Sequence, residues 1–422
     1  MLLTLLCLQP QQSNAETLPN AVQRAVASQP EIRSLLAKRM ASRADVDLSK
    51  SLRRPGINLS ASSVLMTADS SGSRSETSPS AVSLSASQPI YDGGVASAEL
   101  RRSRSGVAAA NQRLGDALNT VALQTVQAYI EVLRLREVRK ILSENIASLQ
   151  AIAQRVQLRA DNGFGSDADV FEARARVDSA KYQLVEAEQQ LRDAVSTYRS
   201  LVGHEPERLE PIQMLTKFLP EDVDHAVREA RTHSPRILAV RYDALSAYAS
   251  IDSSKAQSNP KLDLVLGMDY NKDLKRSASD ANDLFARVSF RMPLYDGGAT
   301  RARVAEARYT AESARLSAEA TALDVEREIR LAWNGFASTR QKTQPLMRQF
   351  QNASKSLKLN LKRFDAGLTT LEKIMDLQTQ KTSAQLALLN EEVSGRYFVF
   401  RVLGGTGQLA AALGVRLPEM VN

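Results

Sequence analysis

One short motif occurs twice in the chain, as Gln88-Pro89-Ile90-Tyr91-Asp92-Gly93-Gly94 and, 204 residues later, as Met292-Pro293-Leu294-Tyr295-Asp296-Gly297-Gly298. Landmarks around the motif keep nearly the same spacing, so that Gly163 in the first half matches Gly367 in the second. Matches that hold one offset over most of a chain predict a tandem duplication. The predicted parts are repeat one at 16–205, a linker at 206–217, repeat two at 218–405 and a C-terminal tail at 406–422.

Each repeat contains two segments in which apolar and polar residues alternate, a period of two that is typical of β-strands. The predicted strands are 57–66 and 81–90 in repeat one, and 261–270 and 284–293 in repeat two. The polar stretches 67–80 and 271–283 are predicted to be exposed hairpin loops. Strands about ten residues long with one apolar face suit a membrane-spanning sheet, although a half-buried sheet in a soluble protein would show the same alternation.

The polar side of the strands in repeat two carries charged residues. If the apolar side faces lipid, the polar side faces a water-filled lumen. The residues predicted to line that lumen are Asp263, Asp269, Arg287 and Arg291.

Helical patterns fill the rest of each repeat. The predicted helices are 20–53, 95–161 and a return helix at 167–202 in repeat one, and 221–257, 299–365 and a return helix at 371–403 in repeat two. In the first long helix, apolar residues recur at alternating spacings of three and four from Leu118 to Val156, with one break at Arg139. This heptad pattern predicts coiled-coil packing, and a helix of that length would extend about 100 Å. Glycine-containing tips are predicted to reverse the chain at Gly163, Gly165 and Gly367.

The repeated motif is predicted to turn the chain from a strand into a helix. Pro89 and Pro293 lack an amide N–H and are expected to end the strand pairing. Asp92 and Asp296 are expected to cap the helices that follow. The next two residues of each copy give the backbone freedom for a sharp turn: Gly93, Gly94, Gly297 and Gly298.

The first fifteen residues are similar to a secretory signal peptide. An apolar run is followed by Ser13-Asn14-Ala15, which predicts cleavage after Ala15; a frayed apolar N-terminus is the alternative. Cys7 is the only cysteine and would leave with the signal, or would carry a lipid despite the bulky Leu6 before it. Because no run of about 18 apolar residues occurs, an exported chain would be periplasmic, extracellular or an outer-membrane β-barrel.

Composition and motifs argue against an enzyme and against a nucleic-acid-binding protein. The chain has 422 residues, 5% of them aromatic, and a net charge of +8, but its Lys and Arg alternate with acidic residues and form no cluster with aromatics. The three histidines, His204, His225 and His233, lack metal-ligand spacing, and neither a nucleophile elbow nor a phosphate-binding loop occurs. The sequence predicts no catalytic site, no metal and no cofactor.

Four strands do not close into a barrel within one chain. Open strand edges in lipid would leave backbone groups unsatisfied, at a cost of several kcal/mol each. Three chains would supply twelve strands, which lies within the range of membrane barrels. The predicted fold is an α+β membrane protein in which a trimeric β-barrel continues into a long α-helical coiled-coil barrel, and such a polar-lined tube would be a duct.

In this order and in two copies, these features resemble the TolC-type outer-membrane efflux and type I secretion proteins over nearly the whole chain. The motifs that carry the resemblance are the two Tyr-Asp-Gly-Gly junctions and the helix-tip segment at 363–376. The resemblance implies a homotrimeric channel with porin activity, seated in the outer-membrane lipid of a Gram-negative bacterium and extending into the periplasm. It implies a passive exit duct for type I secretion or small-molecule efflux. Docking of an inner-membrane ABC or proton-driven transporter and a periplasmic adaptor (membrane fusion) protein would open it.

The resemblance also implies a constriction at the periplasmic end. Asp376 matches one carboxylate of its acidic ring, and Lys373 stands where a second is expected. Asp169 matches the acidic partner of polar links between the hairpins, whereas Phe364 and Thr369 stand where an aromatic hydroxyl and a basic residue are expected. One carboxylate per chain would still form a threefold ring that favours cations. Asp376 and Asp169 are alternatively ordinary exposed acids of a helix.

A different class of function also fits a long coiled coil. The chain would then be a periplasmic adaptor or structural bridging protein with no pore of its own. Two long hairpins that each follow two alternating strands favour the channel over this alternative.

Overall fold

The computed structural model describes residues 15–64, 66–70, 73–77, 80–272 and 281–416. The predicted signal peptide, including Cys7, lies outside the described residues except for Ala15. Repeat one contains α1 (Leu18–Ser28), α2 (Pro30–Ser51), β1 (Gly56–Ser63), β2 (Met66–Ser70), β3 (Ser73–Thr77), β4 (Ser80–Tyr91), α3 (Val95–Asp161) and α4 (Asp167–Val202). Repeat two contains α5 (Val223–His233), α6 (Pro235–Ala256), β5 (Lys261–Lys272), β6 (Ala281–Arg291), α7 (Ala299–Asp365) and α8 (Leu371–Thr406). A 3₁₀ turn (Thr216–Phe218) precedes repeat two, and α9 (Leu409–Ala412) follows it.

The duplication is visible in the helices. The long helices α3 and α7 have 67 residues each, and the return helices α4 and α8 have 36 each. The short pairs α1–α5 and α2–α6 match in the same way, with 11 and 22 residues. The predicted α+β fold with a tandem repeat is confirmed. Within the described residues, every helix is too short or too polar to cross a membrane.

The strands β1, β4, β5 and β6 form one antiparallel sheet in the order β1-β4-β5-β6. The central ladder joins the repeats, because β4 belongs to repeat one and β5 to repeat two. Each repeat thus contributes one β-hairpin, and the two β-hairpins are neighbours in the sheet. The sheet carries the four strands predicted for one chain.

The prediction of a loop at 67–80 is wrong, because most of these residues form strands β2 and β3. The β1–β4 ladder ends at the pair Ser63–Ser80, and the β2–β3 ladder starts three residues further along each strand, at Met66–Thr77. The first hairpin therefore continues in the same register beyond the four-stranded sheet. Its Ser- and Thr-rich sequence is low in complexity, but Thr is a good strand former and Ser does not prevent pairing. The loop predicted at 271–283 is wrong in the same way at its two ends, because 271–272 belong to β5 and 281–283 to β6, while 273–280 lie outside the described residues.

Pro89 does not end the strand, contrary to the prediction. The ladder between β4 and β5 pairs Pro89 with Asp263, shifts register, and resumes with Tyr91 opposite Leu262. A bulge of this kind tolerates a proline because the residue at the irregularity need not donate to the ladder. The ladder between β4 and β1 has already ended at Ser87. In repeat two, β6 ends at Arg291, before its proline.

The chain folds into two compact units, and each unit draws on both repeats. The first unit comprises the described residues within 1–34, 115–237 and 322–422, and the second comprises those within 35–114 and 238–321. The second unit contains the sheet, both strand-to-helix junctions and the first turns of α3 and α7. The first contains α4, α8, the remainder of α3 and α7, and the hairpin tips.

In the first unit, the heptad seam of α3 is largely buried. Val121, Thr125, Val132 and Leu135 are each at most 2% exposed, while Arg139 at the break is exposed. Near the tips, apolar residues of both hairpins pack into one cluster, which includes Leu149, Val156, Val170, Val177, Leu357, Phe364, Ile374 and Met375. The coiled-coil pattern of the sequence therefore corresponds to packing of the two hairpins against each other.

Candidate channel wall and hairpin ends

The four-stranded sheet exposes an apolar face. Directly opposite residues of antiparallel strands share a face, so the register assembles these side chains on one side: Ile57, Leu59, Val82, Leu84, Leu266, Met268, Leu284, Val288 and Phe290. Leu284 is 86% exposed and Ile57 is 74% exposed. Burial of apolar surface stabilises a protein by about 25 cal/mol per Å², and these exposed side chains do not gain that free energy within one chain. A contiguous apolar surface of this kind marks contact with lipid or with another protein.

The other face of the sheet is polar. On β1 and β4 it carries small neutral residues, namely Asn58, Ser60, Ser62, Ser83, Ser85 and Ser87. On β5 and β6 the register places on it all four residues that the sequence predicts for a lumen: Asp263, Asp269, Arg287 and Arg291. Lys261 and Asp283 lie on the same face, opposite Arg291 and Asp269. The sheet thus has one apolar and one polar face, as a channel wall requires.

The two edges of this sheet are β1 and β6. Each edge strand pairs on one side only within the described part of the chain, so a row of backbone N–H and C=O groups faces outward. Such an edge is a template for pairing with another strand. In lipid, where water does not satisfy these groups, the pairing is obligatory.

At the first junction, Asp92 caps α3. Its carboxylate accepts hydrogen bonds from the amides of Gly94 (2.9 Å) and Ala96 (2.5 Å). Gly93 has φ +72° and lies against the segment that enters β5, where a Cβ atom would meet Asn259 Cβ at 2.7 Å. The Asn259 side chain donates a hydrogen bond to the Gly93 carbonyl (2.7 Å). This glycine is required both by its left-handed backbone and by the close packing.

The second junction has the same backbone in an open setting. The Asp296 carboxylate accepts from the amides of Gly298 (3.1 Å) and Thr300 (2.7 Å). Hydrogen bonds from Thr300, first its hydroxyl and then its amide, lower the pKa of the Asp296 carboxyl. Gly297 also has positive φ, +67°, but within the described chain no atom lies within 4 Å of where its Cβ would be. Tyr295, beside the junction, is 89% exposed.

The hairpin tips also share one turn. After α3, Gly163 has φ +78° and the Phe164 amide donates to the Arg159 carbonyl. After α7, Gly367 has φ +74° and the Leu368 amide donates to the Arg363 carbonyl, so that donor and acceptor are five residues apart in each tip. This is the Schellman C-cap, which glycine favours at the left-handed position. Gly165 lies close to the end of α3, with a would-be Cβ 3.0 Å from the Ala160 amide nitrogen.

Phe364 is buried in the chain's own core, 6% exposed, as part of the cluster near the tips. The Arg159 guanidinium stacks on its ring at 4.8 Å from the centroid and donates to its carbonyl (2.5 Å). The side chain of Phe364 is therefore occupied in joining the two hairpins of one chain. Sequence reasoning missed Arg159, since it lies about two hundred residues away and no spacing rule connects the two positions.

The other residues predicted for a constriction lie at the surface of the hairpin ends. Asp376 and Lys373 are exposed on the first turns of α8, and Asp169 is half-buried in the first turn of α4. Thr369 is half-buried just before the helix cap Thr370. Among the residues that the structure describes, no side-chain hydrogen bond or ion pair joins any of these four to another group.

A buried polar cluster between the hairpins is a second feature that the sequence did not show. The Gln378 amide donates to Asn145 Oδ1 (2.7 Å), and the Thr382 hydroxyl donates to the same oxygen (2.9 Å). All three side chains are buried. Asn145 lies next to the heptad position Ile146, where the apolar pattern continues without a break, so the pattern gave no signal for it. Buried polar contacts of this type fix the register of packed helices.

Comparison with known proteins agrees with this architecture. The family model "Outer membrane efflux protein" matches residues 21–204 and 226–394, once in each repeat. The outer membrane efflux protein BepC of Brucella suis is 23% identical over 415 residues, covering 96% of this chain and 88% of BepC. The outer membrane protein TolC of Vibrio cholerae is 24% identical over 415 residues, covering 95% of this chain and 91% of TolC. The crystal structure of the outer membrane protein VceC from Vibrio cholerae superposes with a TM-score of 0.79 at 19% identity, covering 95% of this chain and 97% of VceC, which shows the fold.

The matched family spans both repeats and most of the chain. It confirms the predicted outer-membrane location and export role, and with them a transport protein in place of an enzyme or a periplasmic adaptor. The chain belongs to the outer membrane efflux protein family.

Proposed function

We propose that three copies of this chain close into one passive exit duct, with a twelve-stranded barrel in the outer membrane and a helical barrel in the periplasm. One observation carries the proposal: the sheet joins the repeats through β4 and β5, and the equivalent pair of strands is β6 and β1. Within one chain β6 and β1 are the two open edges. Pairing β6 of one copy with β1 of the next repeats the internal contact and removes every edge.

The internal contact also fixes the register between copies. In the chain, Ser87 of β4 lies opposite Val265 of β5. The motif has an offset of 204, and the start of the first strand has an offset of 205, which relates Pro55 to Pro260. These offsets convert the pair into Arg291 of one copy and Ser60 of the next. Arg291 and Ser60 both belong to the polar face, so the same polar side continues around the closed barrel.

The open second junction supports the same arrangement. Asn259 and Pro260, which cover Gly93 inside the chain, correspond to Arg54 and Pro55 at the offset of 205. Arg54 and Pro55 of a neighbouring copy would therefore cover Gly297. The junction that is open in one chain becomes closed in the assembly.

An exposed apolar stripe on α7 supports it as well. Tyr309, Leu316 and Leu323 are 78%, 50% and 57% exposed and follow each other at seven-residue spacing. A seven-residue stripe is the seam of a coiled coil and needs a facing helix. In the proposed trimer, a helix of the neighbouring copy supplies it.

The hairpin ends are the proposed docking and gating region. They expose Phe164 (76%) and Leu368 (68%), which suits contact with a periplasmic adaptor and an inner-membrane ABC or proton-driven transporter. Asp376 of three copies would form the acidic ring of the constriction. Because the Phe364 ring is buried and stacked by Arg159, the polar links between hairpins would use other groups, such as the ion pair between Arg155 and Asp365 within one chain (2.9 Å). The cargo, protein or small molecule, depends on the transporter that docks.

Purified protein tests the duct directly. We expect detergent-solubilised protein to have the mass of three chains, to migrate as a heat-modifiable trimer, and to conduct ions in planar lipid bilayers. A chain that stays dissolved without detergent and gives no conductance would instead be a periplasmic bridging protein.

A further inference from the structure

The charge of the polar sheet face is unevenly distributed. The described residues of β1 and β4 contribute neutral side chains to it, so β5 and β6 carry its charge. Three cations lie in the half of this hairpin nearest the helices, and we name Lys261, Arg287 and Arg291 the basic belt. Asp269 and Asp283 lie opposite each other in the far half. Within the hairpin, the polar face is therefore basic at one end and acidic at the other.

One member of the basic belt, Arg287, is held in place by an aromatic ring. The Arg287 guanidinium stacks on the Phe285 ring, 4.8 Å from its centroid. The ring in turn lies flat across β5 at Gly267, where a Cβ atom would meet the Phe285 Cζ at 2.4 Å. Gly267 is thus the residue that allows the aromatic ring to cross the polar face. Stacking holds the plane of the guanidinium and leaves its N–H groups at the edge free to bind an anion.

The described residues neutralise the basic belt only in part. Among the described residues, no ion pair involves Lys261, Arg287 or Arg291, and the carboxylate of Asp263, two residues from Lys261 on the same face, offsets one of the three charges. Lys261 lies directly opposite Arg291, an arrangement that repels across the strands. Water or an anion between the cations relieves this repulsion.

From this we infer that the duct has an anion-selective zone at the helix-proximal end of its barrel, formed by the basic belt of each copy. The inference rests on the proposed function, since it requires the polar face to line a lumen. The favoured solutes carry carboxylate, sulfate or phosphate groups, which the free N–H groups of Arg287 and Arg291 bind as paired donors. The zone is separate from Asp376, which lies on the helix hairpins and favours cations.

Reversal potentials in planar bilayers under a potassium chloride gradient test the belt. Replacing both arginines, Arg287→Gln with Arg291→Gln, should lower the chloride-to-potassium permeability ratio roughly two-fold in dilute salt, as expected for screened charges near the conducting path. The charge-preserving variant, Arg287→Lys with Arg291→Lys, should keep the wild-type ratio. Lys272→Gln is the control, because Lys272 ends the paired strand β5 on the apolar face of the sheet, and it should leave the ratio unchanged.

The outcomes separate the two proposals. Conductance with an unchanged ratio in the double glutamine variant would overturn the belt and leave the duct intact. Absence of any conductance in the wild-type protein would overturn the duct and the belt together. If the double variant does not assemble, Arg287→Gln alone is measured, and a smaller shift in the same direction supports the belt while no shift contradicts it.

Discussion

The two strand-to-helix junctions have the same backbone and different surroundings. In both, an aspartate caps the next helix and a glycine adopts positive φ. The first junction is covered by Asn259 and Pro260 of the same chain, whereas nothing in the described chain covers the second. This difference is expected if the second junction takes its neighbour from another copy, because one chain supplies the contact only once.

At the hairpin tips, by contrast, the two repeats contact each other within one chain. Phe364 of repeat two corresponds to Ala160 of repeat one, and the Arg159 guanidinium of repeat one stacks on the Phe364 ring. Here the repeats have diverged into complementary halves within one chain. The second junction is open within the described chain and is proposed to contact another copy, whereas the two tips pack against each other within one chain.

The largest effect on stability is expected at the α7–α8 tip, where Phe364 is buried. Phe364→Ala removes a buried ring and should destabilise the paired hairpins by about 4 kcal/mol, because it leaves a cavity and an unstacked Arg159. Thermal unfolding, followed through the loss of the helical signal, measures this loss of stability. Phe164→Ala, at a 76% exposed ring, is the control and should change stability by less than about 0.5 kcal/mol. Equal effects of the two variants would refute the complementary packing of the tips.

An alanine at each junction distinguishes a covered glycine from an open one. Gly93→Ala should cost about 3 kcal/mol, from backbone strain and from the clash with Asn259. In a lone chain Gly297→Ala would add strain only, about 1 kcal/mol. In the trimer the two variants should be similarly destabilised, because Arg54 and Pro55 of the next copy cover Gly297. Heat stability of the trimer on gels compares them, and a trimer that tolerates Gly297→Ala far better than Gly93→Ala would contradict the proposed contact.

The smallest effect concerns the exposed cap. The folded-state pKa of Asp296 is lowered, so its capping contribution is present above the ordinary aspartate pKa and is lost as the pH falls through the lowered value. The stability difference between wild type and Asp296→Ala should therefore be constant near neutral pH and shrink in acid. Unfolding midpoints over an acid pH series measure this. Thr300→Ala removes the hydroxyl that lowers the pKa most and should move the loss to higher pH.

The sequence predicts local features better than long-range ones. The caps at Asp92 and Asp296 are readable because aspartate directly before a helical pattern is a preferred N-cap residue, although a type II turn would use the same motif. The strands β2 and β3 were missed because a Ser- and Thr-rich stretch looks like a loop unless its pairing partner is known. Phe364 was named as a constriction candidate from the resemblance alone. Its burial depends on Arg159 and on the opposite hairpin, which no local pattern reveals.

The barrel closure is tested most directly by a disulfide between copies. Ser60→Cys with Arg291→Cys places one thiol on each edge strand, and opposite residues of paired strands lie within disulfide reach, about 5 Å between Cα atoms. In one chain, β1 and β6 are separated by two strands, so any bond must join two copies. Oxidation in the outer membrane should give covalent dimers and trimers, and none with Ala61→Cys and Arg291→Cys, whose side chains face opposite ways. Closure of the barrel by three copies would be contradicted by any of three results. These are the absence of a covalent trimer, covalent species larger than a trimer, and equal disulfide formation in the Ala61→Cys control.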